Sequence, residues 1–143
     1  MHRERIGKNI SIIHRYSQVF LNPVLKKYNL GSGQYTFLMI LFDNNGINQE
    51  KLTELVKIDK ANTARAVNKL VAEGYVTKTV SDKDKRAYQL YTTEKAEIIK
   101  ADLNVIFDSW NNILLNGLTV EEENLLAFLL DKIEQNISQH FEE

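Results

Sequence analysis

Two short amphipathic segments followed at once by a β-hairpin constrain this chain more than any other feature. Residues 49–56 carry Leu52, Leu55 and Val56 at helical spacing, and a second helix, expected to open after Asp59 and to stop at Gly74, follows within a few residues. Asp59 offers its carboxylate to the N-terminus of that helix. Short helix pairs occur in many folds, so the pair alone decides little. Its sequel decides more. Tyr75 to Ser81 and Ala87 to Tyr91 are rich in Val, Tyr and Thr, alternate in period two, and bracket the charged tip Asp82-Lys83-Asp84-Lys85-Arg86. Two helices on a tight connection, closed by such a hairpin, predict a helix-turn-helix with a β wing.

The flanks are helical. Ile6, Ile10, Ile13, Phe20 and Val24, with a break at Ser17, follow a spacing of three and four from about Arg5 to Tyr28. Pro23 predicts a kink or a fresh first turn near Asn22. Gly31-Ser32-Gly33 breaks the pattern, with Ser32 as the expected N-cap of a helix that buries Tyr35, Leu38, Met39, Leu41 and Phe42 and stops at Asn44-Asn45-Gly46. Beyond the hairpin, Thr93 opens a long helix through Ile98, Leu103, Phe107 and Trp110 to Asn116-Gly117, its aromatic residues expected in the core. Thr119-Val120-Glu121-Glu122 has capping-box spacing ahead of Leu125, Leu126, Leu129, Leu130, Ile133 and Ile137. These three long helices carry more apolar face than one small domain covers, and homodimerisation would bury it. The expected fold is therefore mainly α with a small β wing (α+β), a winged helix-turn-helix with N- and C-terminal dimerisation helices. It is read as a single unit over 1–143, with 32–92 as the winged-helix region and 1–30 and 93–143 as the dimerisation helices.

Composition narrows the function. With 143 residues, 43 % of them hydrophobic, the chain can bury one ordinary core. No window approaches the ~18 consecutive apolar residues of a membrane span, and the N-terminus reads as an amphipathic helix rather than a signal peptide, so no membrane partner and a cytoplasmic location are expected. The absence of Cys excludes disulfides and thiolate metal sites. His2, His14 and His140 lie far apart in sequence, and no GxSxG, Walker or GxGxxG motif occurs, so the sequence predicts no metal, no cofactor and no enzyme. The net charge of -1 conceals a division: residues 1–47 hold six Lys/Arg against two Asp/Glu, residues 48–92 nine against six, and residues 93–143 three against eleven. The first two segments would attract a polyanion and the last would repel it, unless the asymmetry is ordinary surface variation.

At about 100° per residue, the second short helix divides into two faces. Thr63, Val67, Leu70 and Gly74 fall on one. Ala61, Asn62, Arg65, Asn68, Lys69 and Ala72 fall on the other, which is small, amide-bearing and cationic and lacks acids. Such a face suits a major groove: Arg bonds guanine O6 and N7 together, Asn does the same for adenine, and Ala admits the backbone. A solvated face is the alternative, although those usually mix Glu and Asp with Lys. Lys60, off that face, reads as a phosphate contact. At the hairpin tip Lys83, Lys85 and Arg86 suit the DNA backbone or minor groove, Arg86 being assigned to the groove and Asp84 to holding its guanidinium; an ordinary charged turn is the alternative.

The stretch Asp59-Lys60-Ala61-Asn62-Thr63-Ala64-Arg65-Ala66-Val67-Asn68-Lys69-Leu70-Val71-Ala72-Glu73-Gly74-Tyr75-Val76, followed by Asp84-Lys85-Arg86 in the position of an Asp-x-Arg signature, resembles the MarR family of transcription regulators. The resemblance runs through nearly the whole chain. It departs at Ala96, where many members have Gly, and at Thr92, where Leu is common, both taken as packing positions. It implies a dimer of intertwined terminal helices, two recognition helices on successive major grooves of a pseudo-palindromic duplex, wings in the flanking minor grooves, and repression often relieved by a small ligand. For such an effector, small and aromatic or phenolic, Arg15 in the apolar stripe of the first helix offers a cation for a carboxylate, with Lys8, His14, Tyr28 or Tyr35 nearby; a salt bridge within or between subunits is the other reading of Arg15. The alternative function is a winged-helix interaction module whose basic face meets an acidic protein partner.

Overall fold

A computed structural model describes residues 2–83 and 87–142. In chain order its elements are α1 (Arg3–Leu25), a 3-10 turn (Lys26–Tyr28), α2 (Ser32–Asp43), β1 (Ile47–Asn48), α3 (Gln49–Val56), α4 (Lys60–Ala72), β2 (Val76–Val80), β3 (Tyr88–Thr92), α5 (Glu94–Leu115) and α6 (Val120–Glu142). The chain divides into two compact units, Met1–Phe107 and Asp108–Glu143. The expected class, mainly helical with a small winged sheet, is the one observed. No helix among the described residues is long and apolar enough to cross a membrane.

The core lies in the first unit. Helix α4 buries Thr63, Ala66, Val67 and Leu70 at the three- and four-residue spacing of a single helix face, and α2 buries Tyr35, Phe37, Leu38, Leu41 and Phe42. Helix α2 packs against α1, α3, α4 and β3, and α3 against α4. Leu25, Leu38, Leu41, Leu52, Leu70, Leu90 and Leu103 lose all solvent exposure, and each fully buried Leu contributes roughly 1.5–3 kcal/mol of transfer free energy. The sheet is antiparallel in the order β1-β3-β2, with Ile47 opposite Leu90, Val76 opposite Thr92 and Val80 opposite Tyr88. Leu90 on the central strand and Val76 on β2 are both buried, where β3 packs against α2 and β2 against α4.

Helix α4 meets the wing through a tight C-terminal motif. Gly74 takes φ +82, a left-handed conformation in which a side chain would be strained. Its amide donates to the carbonyl of Val71 at 3.0 Å, and the Tyr75 amide donates to the carbonyl of Leu70 at 2.9 Å. Buried Tyr75 then turns the chain into β2. Its hydroxyl donates to the Tyr28 carbonyl at 2.6 Å, its ring lies under Lys95 Nζ at 4.6 Å, and burial pushes its phenol above the ordinary 10.0. Thr93 closes the same corner, its hydroxyl donating to the Gly74 carbonyl at 2.6 Å and its amide to the Tyr75 carbonyl at 3.0 Å.

The second unit holds the end of α5 and all of α6. Gly117, at φ +85, follows the end of α5. Thr119 and Glu122 form the expected reciprocal cap: the Thr119 amide donates to Glu122 Oε1 at 2.9 Å and the Glu122 amide to Thr119 Oγ1 at 3.1 Å. No residue of α6 is buried within the single chain.

Several expectations need correction. The cap of α2 is Gly31 rather than Ser32, because the polar work is done from elsewhere: Gln34 Oε1 accepts from the Gly31 amide and Asn22 Oδ1 from the Ser32 amide, each at 2.9 Å. Helix α1 runs through Pro23 without a fresh start, since a proline so near the end deletes only one bond of the last turns, and the helix then tightens into the 3-10 turn that contains Tyr28. Phe37 is buried and Met39 only half-buried; Leu55 is exposed. Phe107 and Trp110, expected in the core, are exposed and half-buried respectively. Thr92 is a hydrogen-bonding position rather than a packing one: its amide donates to Asn45 Oδ1 at 2.7 Å and its hydroxyl to Glu97 Oε1 at 3.0 Å. Ala96 is fully buried, as a packing position should be.

Candidate nucleic-acid interface

The outer face of α4 is built by its N-cap. Asp59 is extended, and its Oδ1 accepts from the Asn62 amide at 2.8 Å, satisfying one of the first-turn donors. Its Oδ2 accepts from the Asn62 side-chain amide at 2.7 Å. The Asn62 backbone bond first, and then the side-chain bond, hold the Asp59 carboxyl below its ordinary 3.8. With Thr63, Ala66, Val67 and Leu70 turned into the core, the helix leaves Lys60, Ala61, Asn62, Arg65, Asn68, Lys69 and Ala72 exposed, and Ala64 half-buried. The acid-free side predicted from the sequence is therefore solvent-facing in its entirety. Among the described residues no carboxylate lies within ion-pair distance of Lys60, Arg65 or Lys69, so these cations are available to an anionic partner.

A cleft runs beside this face. Asn48, Gln49, Glu50 and Thr53 from the start of α3, Lys60 and Ala64 from α4, and Ala87 and Tyr88 from the foot of the wing line it. The first turns of α3 and α4 both border it, and their amide dipoles favour an anion there. Asn48 caps α3 by accepting from the Lys51 amide at 2.7 Å. Lys78 stands over the Tyr88 ring at 4.3 Å, a diagonal cross-strand pair that places one more cation on the wing. Sequence reasoning named none of Asn48, Gln49, Lys78 or Tyr88 as site residues. An Asn directly before a helical segment was a readable cap, whereas the closeness of Tyr88 to Lys60 and Ala64 exists only once β3 has been paired.

On the hairpin tip Lys83 is exposed, and the Ser81 amide donates to the Ala87 carbonyl at 2.9 Å, extending the β2–β3 ladder by one step. Asp84, Lys85 and Arg86 lie outside the described residues. The candidate effector residues are less gathered. Lys8, His14 and Arg15 are exposed on α1, where Arg15 borders a shallow depression with Ile12, Tyr16 and Val19. Tyr28 donates its hydroxyl to Asp102 Oδ2 at 3.0 Å, and Tyr35 is buried with its ring centroid 6.4 Å from that of Phe107.

Known proteins share this fold. The model of the MarR family matches residues 30–88, which span α2 to the start of β3. The uncharacterized HTH-type transcriptional regulator YybA of Bacillus subtilis (strain 168) is 32 % identical over 137 residues, covering 96 % of this chain and 91 % of its own. Among solved structures, a MarR transcriptional regulator from Methanosarcina mazei Go1 is 39 % identical with a TM-score of 0.86, over 94 % of this chain and 98 % of that one. A MarR family regulator from Listeria monocytogenes, solved in complex with a 26mer DNA, is 31 % identical with a TM-score of 0.90, over 94 % and 90 %. By fold, by extent of match and by identity, this chain belongs to the MarR family of transcriptional regulators.

Proposed function

We propose that the chain is a sequence-specific DNA-binding regulator that acts as a homodimer on a pseudo-palindromic duplex with half-sites about one helical turn, ~10 bp, apart. The observation that carries this reading is the exposed, acid-free face of α4, capped by Asp59 and bordered by the wing. Arg65 and Asn68 are assigned to base edges, Ala61 to close approach of the helix backbone, and Lys60 and Lys69 to phosphates. Lys83, Asp84, Lys85 and Arg86 are assigned to the wing contact from their sequence alone. The Listeria monocytogenes relative in complex with DNA supports the same use of the fold.

The dimer reading rests on unburied apolar surface. Ile6, Ile10, Ile13, Tyr16 and Val19 on α1, Ile98 and Val105 on α5, and Leu125, Phe128, Leu129 and Leu130 on α6 are all exposed in the single chain, more than an isolated protein of this size keeps in water. Residues 1–30 and 93–143 are the proposed dimerisation helices, and 32–92 the DNA-binding region. Repression relieved by a small aromatic acid is the finer proposal, with the exposed Arg15 guanidinium as its anchor.

Enrichment from a randomised duplex pool tests the function. The full-length chain is expected to enrich an inverted repeat. Equal retention of all duplexes, with capture by an acidic protein surface instead, would reverse the assignment.

A further inference from the structure

The geometry points to Asn62 as a positioning residue that holds Arg65 for base reading rather than a base reader itself. Both ends of its amide are already committed. Nδ2 donates to Asp59 Oδ2 at 2.7 Å, and Oδ1 accepts from the Arg65 guanidinium. Asp59, Asn62 and Arg65 stand three residues apart, one turn each, so a carboxylate, an amide and a guanidinium form a single hydrogen-bonded row along the outer face of α4.

Each bond in the row is polarised by its neighbour. The anchored carboxylate makes Nδ2 the better donor, which makes Oδ1 the better acceptor for a cation. A long exposed Arg otherwise samples many rotamers, and freezing it on a base edge costs entropy. A guanidinium already held at one end has less freedom to lose. To read adenine, Asn62 would have to present its remaining N–H to N7 and its remaining Oδ1 lone pair to N6 from an amide plane already fixed by Asp59 and Arg65. Asn68, two turns on from Asn62 and also exposed, makes no hydrogen bond through its amide among the described residues. If an amide of this helix reads adenine, it is Asn68. This inference rests on the proposed function, since a held guanidinium matters only where Arg65 meets a base.

The test uses the full-length chain, the duplex it enriches from the randomised pool, and the single-base-pair variants of that duplex. The readout is the ratio of affinities, with thermal melting to verify equal folding. Arg65→Ala is expected to lose discrimination at one G·C pair on the order of tenfold or more. Asn62→Ala is expected to lose about three- to tenfold at that same pair and nothing elsewhere, and the double variant to match Arg65→Ala alone.

A loss at an A·T pair that persists in the Arg65→Ala background would make Asn62 a direct reader and overturn the relay while leaving DNA recognition intact. Unchanged ratios in Asn62→Ala would overturn it too. Unchanged discrimination in Arg65→Ala at every pair would remove the base-reading role of Arg65 and the relay with it.

Discussion

Asp59 shows how one side chain serves both the fold and the site. Its carboxylate satisfies a first-turn amide of α4 and anchors Asn62. Because these bonds hold its folded pKa below the ordinary 3.8, its contribution to stability is fully present above that value and is lost as pH falls through the lowered folded value. Asp59→Ala should therefore melt at a lower temperature than the unsubstituted chain at neutral pH, with the gap narrowing below pH 3.8, as thermal unfolding by circular dichroism would record. At the wing, Arg86→Ala should weaken duplex binding on the order of tenfold while leaving the dimer intact, measured by fluorescence anisotropy beside sedimentation. The polarity of the α4 face was legible residue by residue, because helical angle alone sorts Asn62, Arg65, Asn68 and Lys69 from Thr63, Val67 and Leu70. The commitment of both Asn62 amide atoms was not, since side-chain rotamers carry no periodicity.

Among the elements, α3 and α4 were legible nearly to the residue because caps and glycine punctuate them: Asp59 before α4, and Gly74 after it. Strand β1 was not, as a two-residue strand has no alternation to read and exists only by pairing with β3. The α2 cap failed for a related reason: its oxygens come from Asn22, ten residues upstream of Ser32, and from Gln34. Helix α4 is held by its inner face, where Leu70 is fully buried and also anchors the Tyr75 turn through its carbonyl. Leu70→Ala should cost about 2–5 kcal/mol in urea unfolding, a cavity cost far above that of truncating an exposed position on the same helix.

For the whole molecule, charge and apolarity are segregated. Cations dominate the first two thirds of the sequence and acids the last third, so the segments that hold α3, α4 and the wing attract a polyanion and the segment that holds α6 repels one. Apolar residues of α1, α5 and α6 are exposed in the single chain, and these are the helices proposed to meet a second copy. Leu129→Glu, at an exposed position of α6, should shift the mass in sedimentation toward one chain and weaken duplex binding, because two linked half-site contacts become one.

The central claim is that Lys60, Lys69 and the wing cations meet DNA phosphates around the α4 face. It is tested most directly by titrating the affinity for the enriched duplex against salt. The claim predicts that the logarithm of the binding constant falls linearly with the logarithm of salt, at a slope of roughly 0.9 for each phosphate neutralised, and that Lys60→Ala lowers the slope by about one such step. An affinity indifferent to salt, or a slope untouched by Lys60→Ala, would contradict it.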